Sequence, residues 1–288
     1  MRLCVSRLSF VLALAFAMCS PVRSHAASTW LSIDYPNASA TFAQAVNNSG
    51  VVVGGYTLRD GTEQGFVYSA GQFSSFTVPA STATVVTAVN DNGVLAGYYS
   101  DSTSMLHSFV YDGQNFSFLD YPGARPGTTI LAQMNDQGLA VGNYVSNDGV
   151  NHGFTYANGQ FTSVDVPGAS GTFVYATDAA GEVAGSFTVA GGTKMQGFVQ
   201  TGTTYHTVNF PGATDTAVRG INDQRQFVGL AGGTHGATAG FSYIGKYRPL
   251  VYPGAYFTVA YGINNSGAVV GYYIDLATGL GHAFIQEP

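Results

Sequence analysis

The chain has 288 residues, of which 45% are hydrophobic and only 9% are charged, and its formal net charge is −6. This hydrophobic content excludes a disordered chain, and ten Lys and Arg residues are too few for a nucleic-acid-binding protein, which must neutralise phosphates. The scarcity of charged residues also disfavours a helical protein, because exposed helix faces are built from Glu, Lys and Arg.

The first segment has the pattern of a secretory signal peptide. Arg2 and Arg7 precede an apolar run over residues 8–17, and small residues occupy the first and last positions of Ser24-His25-Ala26. The run is too short to span a bilayer. We therefore expect residues 1–26 to be cleaved, and residues 27–288 to form one secreted, periplasmic or extracellular domain without a membrane span.

Cleavage near Ala26 removes both cysteines, Cys4 and Cys19. The mature chain then has no thiol, which excludes a disulfide framework and a thiolate metal site. Cleavage also removes three of the ten Lys and Arg residues, so that seven basic residues face 16 acidic ones and the formal net charge becomes −9.

The mature chain consists of six repeats, each defined by the same columns of residues. A turn residue, usually Asn, stands at Asn47, Asn90, Asn135, Asp178, Asn222 and Asn264. Thr comes six positions before it, at Thr41, Thr84, Thr129, Thr172, Thr216 and Thr258. Gly comes seven positions after it, at Gly54, Gly97, Gly142, Gly185, Gly229 and Gly271. Further along each repeat stands a Phe, at Phe66, Phe109, Phe154, Phe198, Phe241 and Phe284.

Each repeat is predicted to form four short strands, A to D. In the first repeat they cover residues 41–46, 51–57, 65–69 and 73–78, with tight Asn- and Gly-containing turns between A and B and between C and D. Pro79 ends strand D because proline cannot continue an interior ladder. Four strands at a period in the low forties are typical of a propeller blade. We therefore predict a six-bladed β-propeller with four antiparallel strands per blade.

The last repeat ends after its third strand, and the start of the mature chain provides the missing fourth. Residues 30–35 have the strand-D pattern, in which an aromatic residue stands six positions before a proline, here Trp30 and Pro36. The N-terminal strand, about residues 29–35, is therefore expected to complete the last blade and close the ring, which leaves no frayed sheet edge.

These columns resemble the HAF family of extracellular repeat proteins. Gly281-His282-Ala283-Phe284 carries the triplet that names the family, and residues 262–272 match its most recognisable stretch. Arg225, in place of the turn Gly, and Asp178, in place of Asn, depart from the pattern. The resemblance implies a secreted bacterial repeat protein and implies no particular activity.

The repeated columns are interpreted as structural. The glycines would let strands approach closely or accommodate a bulge, and the aromatic residues would fill the wedges between blades. His107, His152 and His282 lie too far apart in such a ring to share one metal ion. Because sister repeats carry Gln64 and Gln196 at this position, a hydrogen-bonding role is predicted. We expect no metal, no cofactor and no catalytic residue.

Binding residues are expected on the rim formed by the D-to-A and B-to-C loops, because these loops vary between repeats. The predicted binding residues are Arg125, Tyr175, Asp215, Arg219, Tyr256 and Tyr261. Tyr175, Arg219 and Tyr261 share one strand-A position. Tyr and Arg among uncharged polar groups suit neutral or anionic sugars.

Three functions are consistent with the sequence. The first is a non-catalytic binding module, a monomer whose partners are carbohydrates or cell-envelope proteins. The second is an extracellular polysaccharide hydrolase or lyase that uses the variable rim. The third is a purely structural repeat protein. No nucleic-acid partner is expected.

Deleting residues 27–36 tests whether the N-terminal strand closes the ring. We expect the shortened mature chain to melt at least about 10 °C lower than the full one. The last blade would lose its outer strand, together with the side chain of Trp30, and would expose an unpaired sheet edge. Thermal unfolding followed by circular dichroism measures this difference. Melting within a few degrees of the full mature chain would contradict closure.

Overall fold

The computed structural model describes residues 28–234 and 237–288, which form an all-β protein of 24 strands. The predicted signal peptide, residues 1–26, lies outside the described residues. In the part of the chain that the structure describes, no helix could cross a membrane.

Four blades of the protein are separate antiparallel sheets of four consecutive strands, and they correspond to the second to fifth predicted repeats. The second contains β6 (Ala83–Val89), β7 (Leu95–Ser100), β8 (Leu106–Tyr111) and β9 (Phe116–Leu119). The third contains β10 (Ile130–Met134), β11 (Ala140–Val145), β12 (Asn151–Ala157) and β13 (Gln160–Val164). The fourth contains β14 (Ala169–Thr177), β15 (Val183–Val189), β16 (Met195–Thr201) and β17 (Thr204–Val208). The fifth contains β18 (Asp215–Ile221), β19 (Phe227–Thr234), β20 (Ala237–Tyr243) and β21 (Tyr247–Leu250).

The other eight strands form one sheet with two antiparallel halves. One half contains β2 (Ala40–Val46), β3 (Val52–Thr57), β4 (Glu63–Ser69) and β5 (Gln72–Phe76). The other half contains β22 (Ala255–Ile263), β23 (Val269–Asp275), β24 (Gly281–Glu287) and β1 (Thr29–Ile33). The sheet count therefore departs from the six separate sheets that the repeats predict.

A single parallel pair, Ala40 with Gly281, joins the two halves of the eight-stranded sheet. A similar parallel bridge links Leu106 and Thr128 in neighbouring blades, but it does not merge their sheets because Thr128 precedes β10. Neighbouring repeats are thus joined by backbone pairing at Ala40–Gly281 and at Leu106–Thr128. The repeat pattern did not reveal this pairing.

The predicted pairing of the two ends of the described chain is confirmed. β1 runs antiparallel to β24, with Thr29 opposite Glu287 and Ile33 opposite Ala283. Trp30 packs against Phe284 at 5.1 Å between ring centroids and against Tyr252 at 5.4 Å. The first strands of the six four-stranded units also form a closed ring. In it, each strand contacts the next in the order β2, β6, β10, β14, β18 and β22, and β22 contacts β2.

The Thr column fixes the start of each first strand. Every one of these hydroxyls is buried and accepts a hydrogen bond from the backbone N–H at the end of the preceding blade. The donors are Tyr35, Val78, Tyr121, Val166, Phe210 and Tyr252, at N–O distances of 3.0 to 3.1 Å. Because buried N–H groups need partners, this bond explains why Thr recurs.

The Asn column connects neighbouring repeats through its side-chain amides. Within its own turn, Asn47 Oδ1 accepts from the backbone N–H groups of Ser49 and Val51, while its Nδ2 donates to the carbonyl of Asn90 at 3.1 Å. Equivalent bonds run from Asn90 to Asn135, Asn135 to Asp178, Asn222 to Asn264, and Asn264 to Asn47, at 2.8 to 3.3 Å. The last bond returns to the first repeat, so the amides form a ring that is interrupted between the fourth and fifth repeats.

This amide ring has one break, at the place where the sequence departs from the repeat. The side chain of Asp178 has no N–H group with which to donate to the fifth repeat. At the same junction, Arg225 forms an ion pair with Glu182 and donates to Thr201 Oγ1 at 2.9 Å. Arg225 has a φ of 56°, which explains why the other repeats have Gly at this turn position. A charged pair thus bridges the junction where the amide bond is missing.

The core lies between blades. Within the described ranges, the buried apolar side chains form six clusters, each of which combines residues from two neighbouring repeats. The Phe column is central to this packing, because each of its six members is at most 1% exposed. The predicted role of these residues in filling the wedges is confirmed.

The Gly column lies opposite a β-bulge in each first strand. A Cβ at Gly97 would stand 2.0 Å from the carbonyl oxygen of Val85, and the five equivalent glycines show 1.9 to 2.2 Å to the matching carbonyl. The bulges fall between Val86 and Ala88 and at the corresponding position of every other first strand. The glycine is therefore required because the bulge brings backbone into the space of a side chain.

The three histidines of the C strands have the predicted hydrogen-bonding role. Their Nδ1 atoms lie 2.7 to 2.9 Å from a carboxylate oxygen at the end of the adjoining D strand. The pairs are His107 with Asp120, His152 with Asp165, and His282 with Asp34. The hydrogen bond to Asp120 raises the pKa of His107. The His282 pair links β24 to the residue that follows β1, and so adds to ring closure.

Replacing Gly97 by Ala tests the bulge constraint. We expect Gly97→Ala to lower the free energy of unfolding by about 3 kcal/mol, because the new methyl group overlaps backbone that cannot move without breaking the bulge. Urea unfolding measures the loss. Gly171→Ala is the matched control, because the nearest atom to its Cβ is the Asn151 oxygen at 3.7 Å. Equal stability of the two variants would contradict the argument.

Replacing Asp178 by Asn tests the break in the amide ring. We expect Asp178→Asn to stabilise the protein by about 1 kcal/mol at neutral pH, because the new amide can donate to the Asn222 carbonyl and a buried charge is removed. Burial raises the pKa of Asp178 above its ordinary value of 3.8. The stability of the parent chain that depends on protonated Asp178 is complete below pH 3.8 and is lost as the pH rises through the raised pKa.

The advantage of Asp178→Asn should therefore be small in acid and grow with pH, which urea unfolding at several pH values measures. The reverse variant, Asn135→Asp, removes the donor to the Asp178 carbonyl and should destabilise at neutral pH. An Asp178→Asn advantage that does not change with pH would contradict the role of the charge.

Candidate functional site

The bulges turn one side chain of each first strand toward the centre of the ring. A bulge leaves one residue without a cross-strand partner and changes where its side chain points. The bulged residues are Gln44, Thr87, Ala132, Tyr175, Arg219 and Tyr261. All six line one central cavity of about 420 Å³. We call it the central cavity.

The central cavity belongs to the rim where the first strands begin. Its wall includes Thr128 just before β10, Ile130 at the start of β10, Val145 at the end of β11 and Asn151 at the start of β12. This is the rim that the sequence marks as variable. The volume of the central cavity lies within the range of small-molecule binding sites.

The opposite end of the axis is narrow. A second space of about 70 Å³ is lined by the turn residues of all six repeats, among them the Asn column. Val46, Val89, Gln133 and Ile263 line both spaces and so separate them. Gln133 Oε1 also accepts a hydrogen bond from the Thr177 backbone N–H at 2.5 Å. The cavity is therefore wide only toward the variable rim.

Three of the predicted binding residues meet in the central cavity. Arg219 Cζ lies 3.9 Å from the ring centroid of Tyr175 and 5.8 Å from that of Tyr261. Phe173 continues this aromatic wall, with its ring 6.2 Å from that of Tyr175 at an interplanar angle of 7°. A guanidinium over an aromatic face is held by cation–π attraction, so the three side chains form one group.

Several polar side chains of the wall already have structural partners. Asn143 Nδ2 donates to the Val174 carbonyl at 2.8 Å, and Asn143 Oδ1 accepts from the Val174 backbone N–H at 2.7 Å. Thr87 Oγ1 donates to the Leu131 carbonyl at 2.8 Å. These bonds connect neighbouring blades, which leaves the tyrosines, Gln44 and Arg219 as the groups most available to a ligand.

Two tyrosines of the cavity wall, Tyr98 and Tyr261, are shielded from solvent. Burial, with a smaller contribution from the charge of Glu63, raises the pKa of Tyr98 to about 12. Burial also raises the pKa of Tyr261, which the positive charge of Arg219 partly opposes. Both phenols are therefore neutral at physiological pH and can donate or accept hydrogen bonds.

The other three predicted binding residues do not line the central cavity. Arg125 is exposed on the loop before β10, and Tyr256 in β22 is 68% exposed. Asp215 accepts hydrogen bonds from the Met195 backbone N–H at 2.7 Å and from Thr214 at 2.9 Å, so it connects two blades. The sequence placed all of them near the rim, but their distance from the axis depends on the exact path of the loops.

The wall also contains residues that the sequence did not indicate, among them Tyr98 and Phe173. Tyr98 stands directly after the Gly column, where the other repeats have Gly55, Asn143, Ser186, Leu230 and Tyr272. Phe173 stands two positions before the bulged residue of its strand. Variation between repeats in these two columns is the signal that could have identified them.

Within residues 28–234 and 237–288, no group of three or more His, Cys, Asp or Glu side chains could hold a metal ion.

Comparison with known proteins identifies the fold. No protein-family model and no curated protein matches the sequence. The structure of AofleA from Arthrobotrys oligospora is 12% identical and has a TM-score of 0.56, with 90% of this chain and 86% of that one covered. The β-propeller domain of the Trilobed protease from Pyrococcus furiosus is 10% identical, with a TM-score of 0.51 and coverage of 86% and 94%.

A mutant of the Aleuria aurantia lectin, in complex with Fucα1-6GlcNAc, is also similar in structure. It is 11% identical, with a TM-score of 0.51 and coverage of 86% of this chain and 91% of that one. At these identities the similarity establishes an all-β propeller fold.

Proposed function

We propose that this protein is a non-catalytic saccharide-binding module that uses the central cavity. The observation that carries the proposal is the convergence of six bulged side chains on one cavity, in which Tyr175, Tyr261 and Arg219 form a single group. Aromatic faces bind the apolar faces of sugar rings, and the hydroxyl and amide groups beside them suit sugar hydroxyls.

The architecture behind this proposal has six blades. The two halves of the eight-stranded sheet each contain four antiparallel strands and are joined only by the pair Ala40–Gly281. Six interblade clusters and the returning amide bond from Asn264 to Asn47 support the same count. In this arrangement every repeat contributes one bulged side chain to one cavity.

The structural similarities support a saccharide as the ligand. The Aleuria aurantia lectin was determined with a fucosylated disaccharide, and its fold covers 86% of this chain. A propeller can therefore present a saccharide site, and the cavity found here has the size and the aromatic wall for one.

The alternative of a polysaccharide hydrolase needs two carboxyl groups that face the ligand. The described lining of the central cavity contains no Asp or Glu. The charge of Glu63 acts on Tyr98, but Glu63 does not line the cavity, and Asp215 holds the Met195 backbone N–H. These contacts favour binding over hydrolysis.

The proposal includes export of the chain and membership of the HAF repeat proteins. A signal peptide over residues 1–26 and the motif Gly281-His282-Ala283-Phe284 support both. An exported monomer with this cavity would encounter glycans of an envelope or of the surroundings.

Filling the central cavity tests the proposal. The mature chain, residues 27–288, is labelled and applied to a glycan array, where we expect binding to a restricted set of saccharides. Ala132→Phe should reduce that binding at least tenfold, because the ring of the new side chain occupies the cavity and takes away no polar contact. Titration calorimetry with the strongest saccharide on the array measures the loss.

Ala190→Phe is the matched control, because Ala190 is exposed in a loop and does not line the cavity. It should bind as the parent chain does, and both variants should melt within a few degrees of it. Unchanged binding by Ala132→Phe would place the saccharide elsewhere. Binding to no saccharide would contradict the proposal, and turnover of a bound polysaccharide would replace it by the hydrolase.

A further inference from the structure

Arg219 is the one charged side chain among the described residues that line the central cavity. Its five counterparts in the bulged column are Gln44, Thr87, Ala132, Tyr175 and Tyr261, all uncharged. The cavity therefore has a single positive charge, which is displaced from the axis toward the fifth blade. The wall therefore does not contain six equivalent sites, one for each repeat.

The charge of Arg219 has no counterion in the described part of the chain. The residue is absent from the ion pairs there, and its Nε is buried without a hydrogen-bond partner. Arg225, by contrast, pairs with Glu182. A partly buried cation without a counterion is unfavourable, and an anion that pairs with it offsets this cost.

The environment of Arg219 strengthens its attraction for an anion. Part of the wall is shielded from solvent, because Arg219 Nε is buried and burial raises the pKa of both Tyr98 and Tyr261. Coulombic attraction grows as the effective dielectric constant falls. The single charge is therefore a stronger determinant of binding here than it would be on an open surface.

The shape of the guanidinium and its position beside Tyr175 favour a planar anion. Cζ lies 3.9 Å from the centroid of the Tyr175 ring, so the aromatic group occupies one side of the guanidinium. Its N–H groups lie in the guanidinium plane and at its edge. A carboxylate binds to such an edge through two parallel hydrogen bonds.

We infer that the saccharide bound in the central cavity is acidic, and that Arg219 pairs with its carboxylate. This inference rests on the proposed function and names the class of its ligand. The carboxylate lies at the edge of the Arg219 guanidinium, and the sugar ring extends across the cavity toward Tyr261 and Gln44. One anionic group binds per protein molecule, because the column contains one arginine.

Paired saccharides test the inference. The array carries oligomers of galacturonate, glucuronate and mannuronate, each beside its carboxyl-reduced counterpart with the same linkages, and sulfated galactan oligomers. We expect the parent chain to bind at least one uronate oligomer tenfold or more tightly than its reduced counterpart, since charge-assisted hydrogen bonds are worth about that factor. Calorimetry should give one site per chain.

The variant Arg219→Gln should lose the preference for the acid over its reduced counterpart, and Arg219→Lys should recover part of it. Melting temperatures of both variants within a few degrees of the parent chain exclude unfolding as the cause. A preference that survives Arg219→Gln would overturn the inference.

The remaining outcomes separate the inference from the proposed function. Binding of neutral saccharides alone, blocked by Ala132→Phe, would overturn the carboxylate and leave the saccharide site in place. Binding of sulfated but not uronate oligomers would overturn the carboxylate in favour of a sulfate. Binding of no saccharide would overturn both.

Discussion

The absence of a side chain at six glycine positions is the constraint on which the rest of the structure depends. At each of them a carbonyl oxygen of the neighbouring first strand occupies the space of a Cβ, at 1.9 to 2.2 Å from its ideal position. That close approach is what a bulge in the first strand requires. The bulge in turn directs one side chain per repeat into the central cavity, so the backbone of the fold and the wall of the site have the same origin.

The ring is closed by bonds of two kinds, which act at different distances from the axis. Near the axis, the amide bonds of the Asn column connect one repeat to the next and return from Asn264 to Asn47. Farther out, β1 completes the ladder of β24, and the His282–Asp34 pair connects the same two segments. Where Asp178 cannot donate, the ion pair of Arg225 with Glu182 bridges the junction instead. Each junction is therefore connected, but not by identical chemistry.

Identical structural columns and different bulged residues together give the protein one asymmetric site. The Thr, Asn, Gly and Phe columns build the blades and their junctions, and they leave the bulged position free to vary. Variation there changes the cavity wall without changing the scaffold, as is usual for binding sites on rigid folds. The group of Tyr175, Arg219 and Tyr261 comes from three consecutive repeats, the fourth to the sixth, and no single repeat contains it.

The sequence by itself determined the repeats, the strands within them, the propeller fold and the pairing of the N-terminal strand with the last group. It could do so because each repeated column meets a requirement that recurs in every repeat. In the first repeat, Thr41 accepts from a backbone N–H and Asn47 forms the turn. Gly54 makes room for the bulge, and Phe66 fills the space between blades. It also indicated Tyr175, Arg219 and Tyr261, because they share a column that varies. Only the tertiary structure decided that these three meet in one cavity, that Arg125, Asp215 and Tyr256 lie outside it, and that Ala40 pairs with Gly281 to join two groups of strands into one sheet. Those outcomes depend on distances between segments far apart in the chain, which closure of the ring sets and which no local pattern encodes.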